Sequence, residues 1–272
     1  MLKAQSMTAP RAAVIASSML AVRQRFSDPE VLLARRNGNS RNFADFWVFP
    51  GGKVDATDQD LAISVAQCPG AAPVNGLRHT TDPALLLACG VAAWRELIEE
   101  TVGPSSVASD PNIIAAAIGN AIYWSHWLAP KIAAVQFDTR FFLIDAALLP
   151  HEPRADGTEI AELRWLTPAN AIEHWRRGEF SMAPPTVFNL LELQQSLESH
   201  GNLAAVLAAE RDRDILTIRP RINREIKPMA SVFPWDADYV GMDATEMVLA
   251  QIPDRYRNLV SRLPVSGQPF HR

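Results

Sequence analysis

Cysteine is scarce: the 272-residue chain holds two, Cys68 and Cys89. Two thiols build neither a disulfide framework nor a four-ligand zinc site, and they fit a reducing compartment. Long hydrophobic runs are missing too. The most apolar early stretch, Val14–Val22, is interrupted by Ser17 and Ser18, and it is far shorter than the about 20 residues of a membrane span. Nor is there an excess of one charge: 26 Lys+Arg stand against 30 Asp+Glu, for a formal net charge of -4. That balance does not describe a general polyanion binder, so neither nucleic acid nor a membrane is expected as a partner. The six histidines stand in no Ser/His/Asp arrangement, which leaves serine-hydrolase chemistry little support. The final Pro269-Phe-His-Arg is no peroxisomal tripeptide, so the cytoplasm is the expected location.

What is present suits a globular α/β protein: 48% hydrophobic residues, 21% charged residues and 20 prolines. Strands are expected over Ala12–Arg23 and Val31–Arg36, joined at Ser27–Pro29, then over Phe137–Asp145 and Glu159–Leu166. Pro83–Thr101 reads as a long helix, with Asp82 as its cap and Pro83 at its first position. Pro111–His126, rich in small residues, reads as helix or helix plus turn. Further helices are expected at Thr167–Arg177, Pro184–Glu198 and Leu203–Arg211. From Asp58 to about Asp82 no clean period holds, which suggests an inserted loop with one short helix near Leu61–Gln67. After Asp214 only short strands and turns are expected, at Ile215–Ile218, Val232–Trp235 and Gly241–Met242. The organisation expected is therefore a domain over 1–192, including the insertion at about 58–82, and an extension over 193–272 packed on it.

The stretch that carries chemistry is Val91–Gly103, VAAWRELIEETVG. Offsets of three and four put Glu96, Glu99 and Glu100 on one side of a helix. Like charges gathered on one turn repel, and a divalent cation with its preference for carboxylate oxygen would offset that. A solvated acidic helix face is the plainer reading. Upstream, Phe49-Pro50-Gly51-Gly52 supplies paired glycines that allow a tight turn and close backbone approach. The basic, amide-rich run from Arg35 to Arg41 suits contact with phosphate or sugar oxygens, or an ordinary exposed turn.

Taken together, Gly52 and the R-E-L-x-E-E of Arg95–Glu100 resemble the box of the Nudix hydrolases, G-x5-E-x7-R-E-U-x-E-E-x-G-U. The two halves are split by roughly thirty extra residues. Asp58 stands where the first half has its glutamate, and the closing glycine is displaced from the slot of Val102 to Gly103. Split-box relatives, the mammalian peroxisomal coenzyme A diphosphatases, are similar at FPGG, around Trp127, Pro130 and Phe137–Phe142, and at Trp165, Thr167-Pro168 and Pro184-Pro185-Thr186. Leu32, Leu33, Ala34, Arg36 and Arg41 fall at the places of an upstream coenzyme A-associated pattern, with Ala34 for its threonine and Asp45 for a glycine.

The resemblance implies an α/β/α sandwich with a mixed sheet, an inserted loop and a C-terminal helical extension. It implies Mg²⁺ (or Mn²⁺) held by Glu96, Glu99 and Glu100, with Glu96 or a loop glutamate handling the water. Glu159 is the better loop candidate and Glu162 the other. Gly51 and Gly52 with Arg36 and Arg41 would hold the substrate, a nucleoside diphosphate derivative such as coenzyme A. Arg95 is expected to anchor the helix to a carboxylate. Hydrolysis of ADP-ribose, NADH or a dinucleoside polyphosphate, and a non-catalytic binding module, are the alternatives. A homodimer fits the family's habit.

Overall fold

The computed structural model describes residues 13–26, 28–40, 42–69, 82–103, 105–239 and 252–270. Its elements run β1 (Val14–Arg25), β2 (Asp28–Arg36), β3 (Trp47–Val48), β4 (Gly51–Lys53), α1 (Ala56–Ala66), α2 (Pro83–Thr101), α3 (Pro111–Asn120), β5 (Ile122–Leu128), β6 (Phe137–Asp145) and β7 (Ile160–Leu166). Then follow α4 (Pro168–Arg176), α5 (Pro184–His200), α6 (Leu203–Ala209), β8 (Thr217–Ile218), β9 (Arg221–Asn223), β10 (Ala230–Val232), α7 (Asp254–Arg257) and β11 (Arg262–Pro264).

The main sheet is mixed, in the order β3-β2-β1-β6-β5-β8, with β4 paired to β1 and β7 to β2. β1 and β6 form its parallel centre, registered from Val14 opposite Phe137 to Val22 opposite Asp145. Strand side chains alternate between faces, and both faces here are covered. Leu20, Val22, Leu33, Phe141 and Leu143 point to a layer of α4, α5 and α6, while Met19, Ala21, Leu32, Phe142 and Ile144 point to α1, α2 and α3. That is the α/β/α sandwich, and it explains why the central strands read as nearly continuous apolar runs.

Two expectations need correction. Pro111–His126 is not one helical region: α3 ends at Asn120, and IYWSHWL continues as β5 after Ala121 alone. The small residues of α3 run into the strand with no polar turn between them, which hid the boundary. The aromatic residues of β5 were the strand signal. The short helix expected near Leu61–Gln67 is present but starts earlier, as α1 from Ala56 to Ala66, and residues 70–81 of the expected insertion lie outside the described residues. Asp55 caps α1 by accepting from the Thr57 and Asp58 N–H groups at 2.9 and 3.2 Å, and Asp58 returns the favour to the Asp55 N–H at 3.0 Å. The D-A-T-D phrase is a capping box with aspartate in both places.

The tail is built into the same core. Leu203, Val206, Ile218, Phe233, Tyr256 and Leu263 share a cluster with Leu20, Val22 and Trp124. The division expected after residue 192 falls inside α5. Of the short strands expected in the tail, Ile215–Ile218 contains β8, which joins the main sheet beside β5, and Val232–Trp235 meets β10 only at Val232; β10 pairs with β9 and β11, which were not expected, in a separate three-stranded sheet. Gly241–Met242 lies outside the described residues. β8 is held by a line the sequence did not reveal: Thr217 Oγ1 meets His126 Nδ1 at 2.9 Å, and His126 Nε2 meets Asp138 at 2.6 Å. Arg140 shares that carboxylate at 2.9 Å, which accounts for an arginine in a central strand. Among the described residues no helix is long and apolar enough to cross a membrane.

Candidate active site

The glycine turn is seated on β1. Ser18 Oγ donates to the Phe49 and Pro50 carbonyls at 3.2 and 2.8 Å, and Gly51 and Gly52 pair with Ser18 and Ser17. A Cβ on Gly51 would lie 2.4 Å from the Ser17 carbonyl oxygen, and one on Gly52 would lie 2.2 Å from Glu96 Oε1. Both positions are reserved for backbone. The serines that interrupt the apolar run of β1 are thus the seat of the site's turn.

α2 is fixed across this turn by Arg95. Its Nε and Nη2 donate to the two oxygens of Asp58 at 2.7 and 2.9 Å, and Nη2 also donates to the Lys53 carbonyl at 3.2 Å. Asp58 is the position that takes the motif's glutamate, and its side chain is fully buried. A bidentate, charge-assisted pair of this kind fixes direction as well as distance. Nη1 donates to Glu96 and Glu99 at 3.0 Å each, so one guanidinium joins β4, α1 and two of the three helix acids. The displaced glycine does its work one residue late: α2 ends at Thr101, and Gly103 follows the Val102 cap with φ +89°, donating to the Ile98 carbonyl at 3.0 Å.

Glu100 is buried against the turn and accepts from the Gly51 N–H at 3.0 Å. Burial and the neighbouring Glu96 push its carboxyl up to about 8, against the pull of that N–H and of Arg36. Glu96 is likewise raised, first by burial, with Glu99 and Glu159 adding to it and Arg95 opposing. Glu159 precedes β7 in a loop shaped by Asp156, whose carboxylate accepts from the Glu159 and Ile160 N–H groups. The Glu159 carbonyl accepts from the Asn37 N–H at 2.8 Å, which brings the loop to the end of β2. There Arg36 lies between two acids, 3.8 Å from Glu100 and 3.8 Å from Glu159.

The structure therefore brings Arg36, Gly51, Gly52, Glu96, Glu100 and Glu159 together. Glu99 turns to Arg95 and is half exposed, and Arg41 lies outside the described residues. Glu162 is engaged elsewhere, with Arg35 and Arg164 at 3.2 and 2.7 Å. Among the described residues no three His, Cys, Asp or Glu side chains surround one metal-sized position. The donor set nonetheless fits a hard divalent ion: all its ligand atoms are carboxylate oxygens, they repel one another, and Glu100 Oε1 is buried with no hydrogen-bond partner. Sequence reasoning missed Asp58 as the anchor of Arg95. The capping-box phrase at 55–58 was the available signal.

The comparisons agree with this geometry. A family model described as the NUDT19 Nudix domain matches residues 83–193. A Caenorhabditis elegans protein provisionally named nudix hydrolase 7 is 23% identical over 274 residues, covering 89% of this chain and 79% of its own. The Gallus gallus acyl-coenzyme A diphosphatase NUDT19 is 28% identical over 158 residues, or 55% of this chain, and the match spans only 40% of that protein's length. The crystal structure of a Nudix hydrolase from Alicyclobacillus acidocaldarius superposes with a TM-score of 0.58 at 23% identity, over 74% of this chain and 97% of its own. With its split box folded into one site, the chain shares the fold of that Nudix hydrolase, and its residues 83–193 match the NUDT19 Nudix domain.

Proposed function

We propose that this chain hydrolyses the diphosphate linkage of coenzyme A or an acyl-CoA with the help of Mg²⁺ or Mn²⁺. The observation that supports the hydrolytic reading is the proximity of Glu96, Glu100 and Glu159, three acids close enough to disfavour one another's charge, with Glu100 Oε1 buried and without a hydrogen bond beside Arg36. The coenzyme A reading is supported by the match to the NUDT19 Nudix domain and by Arg36 at the site.

Glu96, Glu99 and Glu100 would hold the divalent ions, which when bound neutralise phosphate charge and make water a better nucleophile. Arg95 holds Glu96 and Glu99 in direction, and the Gly51 N–H does the same for Glu100. Arg36 offers its guanidinium to a phosphate oxygen from between Glu100 and Glu159; its buried Nε has no partner. We assign proton removal from the attacking water to Glu159, whose side chain is 66% exposed and so reaches solvent. Glu96 is the other carboxylate proposed for that task.

The test is a substrate panel with each metal, products read by mass: coenzyme A, acyl-CoA, dephospho-CoA, ADP-ribose, NADH and dinucleoside polyphosphates. Adenosine 3',5'-bisphosphate and a phosphopantetheine product are expected from coenzyme A. Equal turnover of dephospho-CoA and ADP-ribose would sink the coenzyme A assignment. Unchanged turnover by Glu100→Gln would remove the proposed site.

A further inference from the structure

Glu159 reaches the site from a segment with little packed against it. Among residues 151–159 only Pro153 and Asp156 are partly covered, and the others are exposed. Asp156 and Thr158 face Arg95 and Glu99 across a cleft of about 620 Å³, so the helix of the acids gives the segment no support on that side. Backbone bonds tie it at two places: the Arg154 N–H donates to the Thr101 carbonyl at 2.5 Å, and the Asn37 N–H donates to the Glu159 carbonyl at 2.8 Å. Exposed segments with few buried contacts open easily, whereas proton transfer needs a carboxylate kept within hydrogen-bond reach.

Asp156 supplies what packing does not. Its Oδ1 accepts from the Thr158, Glu159 and Ile160 N–H groups at 3.2, 3.2 and 2.8 Å. Its Oδ2 accepts from the Glu159 N–H at 3.1 Å and from the Thr158 hydroxyl. Gly157 closes the turn at φ +75°, donating its N–H to the Ile160 carbonyl at 3.1 Å. Partial burial raises the Asp156 carboxyl, but the Thr158 hydroxyl and these N–H groups outweigh it and hold the group below the usual carboxylate range. Bonds to an ionised acceptor are the strong ones. One side chain therefore sets the backbone direction at Glu159, and with it the approach of the Glu159 carboxylate to Arg36 at 3.8 Å.

We propose that Asp156 is a positioning residue for proton removal: it holds the Glu159 carboxylate beside Arg36 and acts on the reaction only through it. The proposal rests on Glu159 taking the proton of the attacking water. A carboxylate misplaced by about 1 Å costs up to about a hundredfold in rate, which is the scale on which a loop anchor acts.

The experiment measures kcat and KM of the full-length chain with Mg²⁺ on whichever panel compound it turns over fastest. Asp156→Ala is expected to lower kcat at least about tenfold, with KM changed by less than about twofold and Tm nearly unchanged. In a Glu159→Gln background the same change should lower kcat by less than about twofold, because the group it positions is already gone. Asp156→Asn, whose amide oxygen can still accept from the three N–H groups, should recover most of the loss. Wild-type kcat in Asp156→Ala, a loss confined to KM, a loss repeated in full on Glu159→Gln, or no recovery in Asp156→Asn would each overturn the positioning role. A crystal structure of Asp156→Ala reads the placement without turnover: Glu159 should leave Arg36, and an unmoved carboxylate would overturn the proposal as well. Failure of the base assignment looks different: Glu159→Gln turns over normally although Glu159 has left Arg36 in the Asp156→Ala crystal, and the role in proton removal falls with it.

Discussion

Asp58→Ala tests the support beneath the site. The Asp58 side chain is fully buried, accepts two bonds from Arg95 at 2.7 and 2.9 Å, and closes the α1 capping box through the Asp55 N–H. Removing one partner of a buried pair costs about 3–5 kcal/mol, mostly because the other charge is left uncompensated. Arg95 retains Glu96 and Glu99 at 3.0 Å, which favours the low end. Losing a capping contact adds about 0.5 kcal/mol. The expected loss is therefore about 3.5 kcal/mol. At about 2–4 °C for each kcal/mol, Tm should fall by roughly 7–14 °C. Urea unfolding followed by tryptophan fluorescence gives the free energy, and thermal unfolding gives Tm. kcat should fall with it, since Arg95 also orients Glu96. A loss under about 1 kcal/mol, the range of an exposed ion pair, would refute the argument that this pair is a buried anchor.

Gly52→Ala places a methyl group 2.2 Å from Glu96 Oε1, so turnover should drop at least about tenfold with Tm little changed; near-normal turnover would show that Glu96 can move aside. Asp236 accepts from Arg262 at 2.6 and 2.7 Å, and those hydrogen bonds, against burial, pull its carboxyl from the ordinary 3.8 down to about 2. The folded pKa is depressed, so this contribution is complete above about pH 4 and lost as pH falls through about 2. Asp236→Asn should cost about 1–2 kcal/mol at pH 7 and unfold with a flatter acid dependence between pH 4 and 2; parallel profiles would contradict the assignment. Glu192 is buried against Arg213, which lies 3.8 Å over the Trp124 ring, and is 3.3 Å from Arg255. Glu192→Ala should cost about 3–5 kcal/mol in chemical unfolding, since two tail arginines lose the acid on α5.

What could be read from the chain alone followed local rules. Short apolar stretches bounded by turn residues marked β1, β2, β6 and β7, the cap and proline marked α2, and offsets of three and four put Glu96, Glu99 and Glu100 on one side of a helix. Gly51 and Gly52 were legible because close backbone approach excludes side chains. What stayed hidden depended on distant partners. β5 was not separated from α3, because one residue joins them and the strand's bounds are set by its pairing with β6 and β8. The contribution of the tail to the core was equally invisible, since two-residue β8 acquires its place through His126 and β5.

The sequence by itself determined the acidic helix, the glycine turn and hence the resemblance to the Nudix box, because each lies within a short stretch of fixed spacing. Only the tertiary structure decided how those pieces are held. Asp58 reaches Arg95 across 37 positions, Glu159 reaches Arg36 from another loop, and Gly267 supports Phe46 from near the end of the chain. Hydrogen bonds and steric contacts of that range are properties of the packed chain, and no local pattern records them.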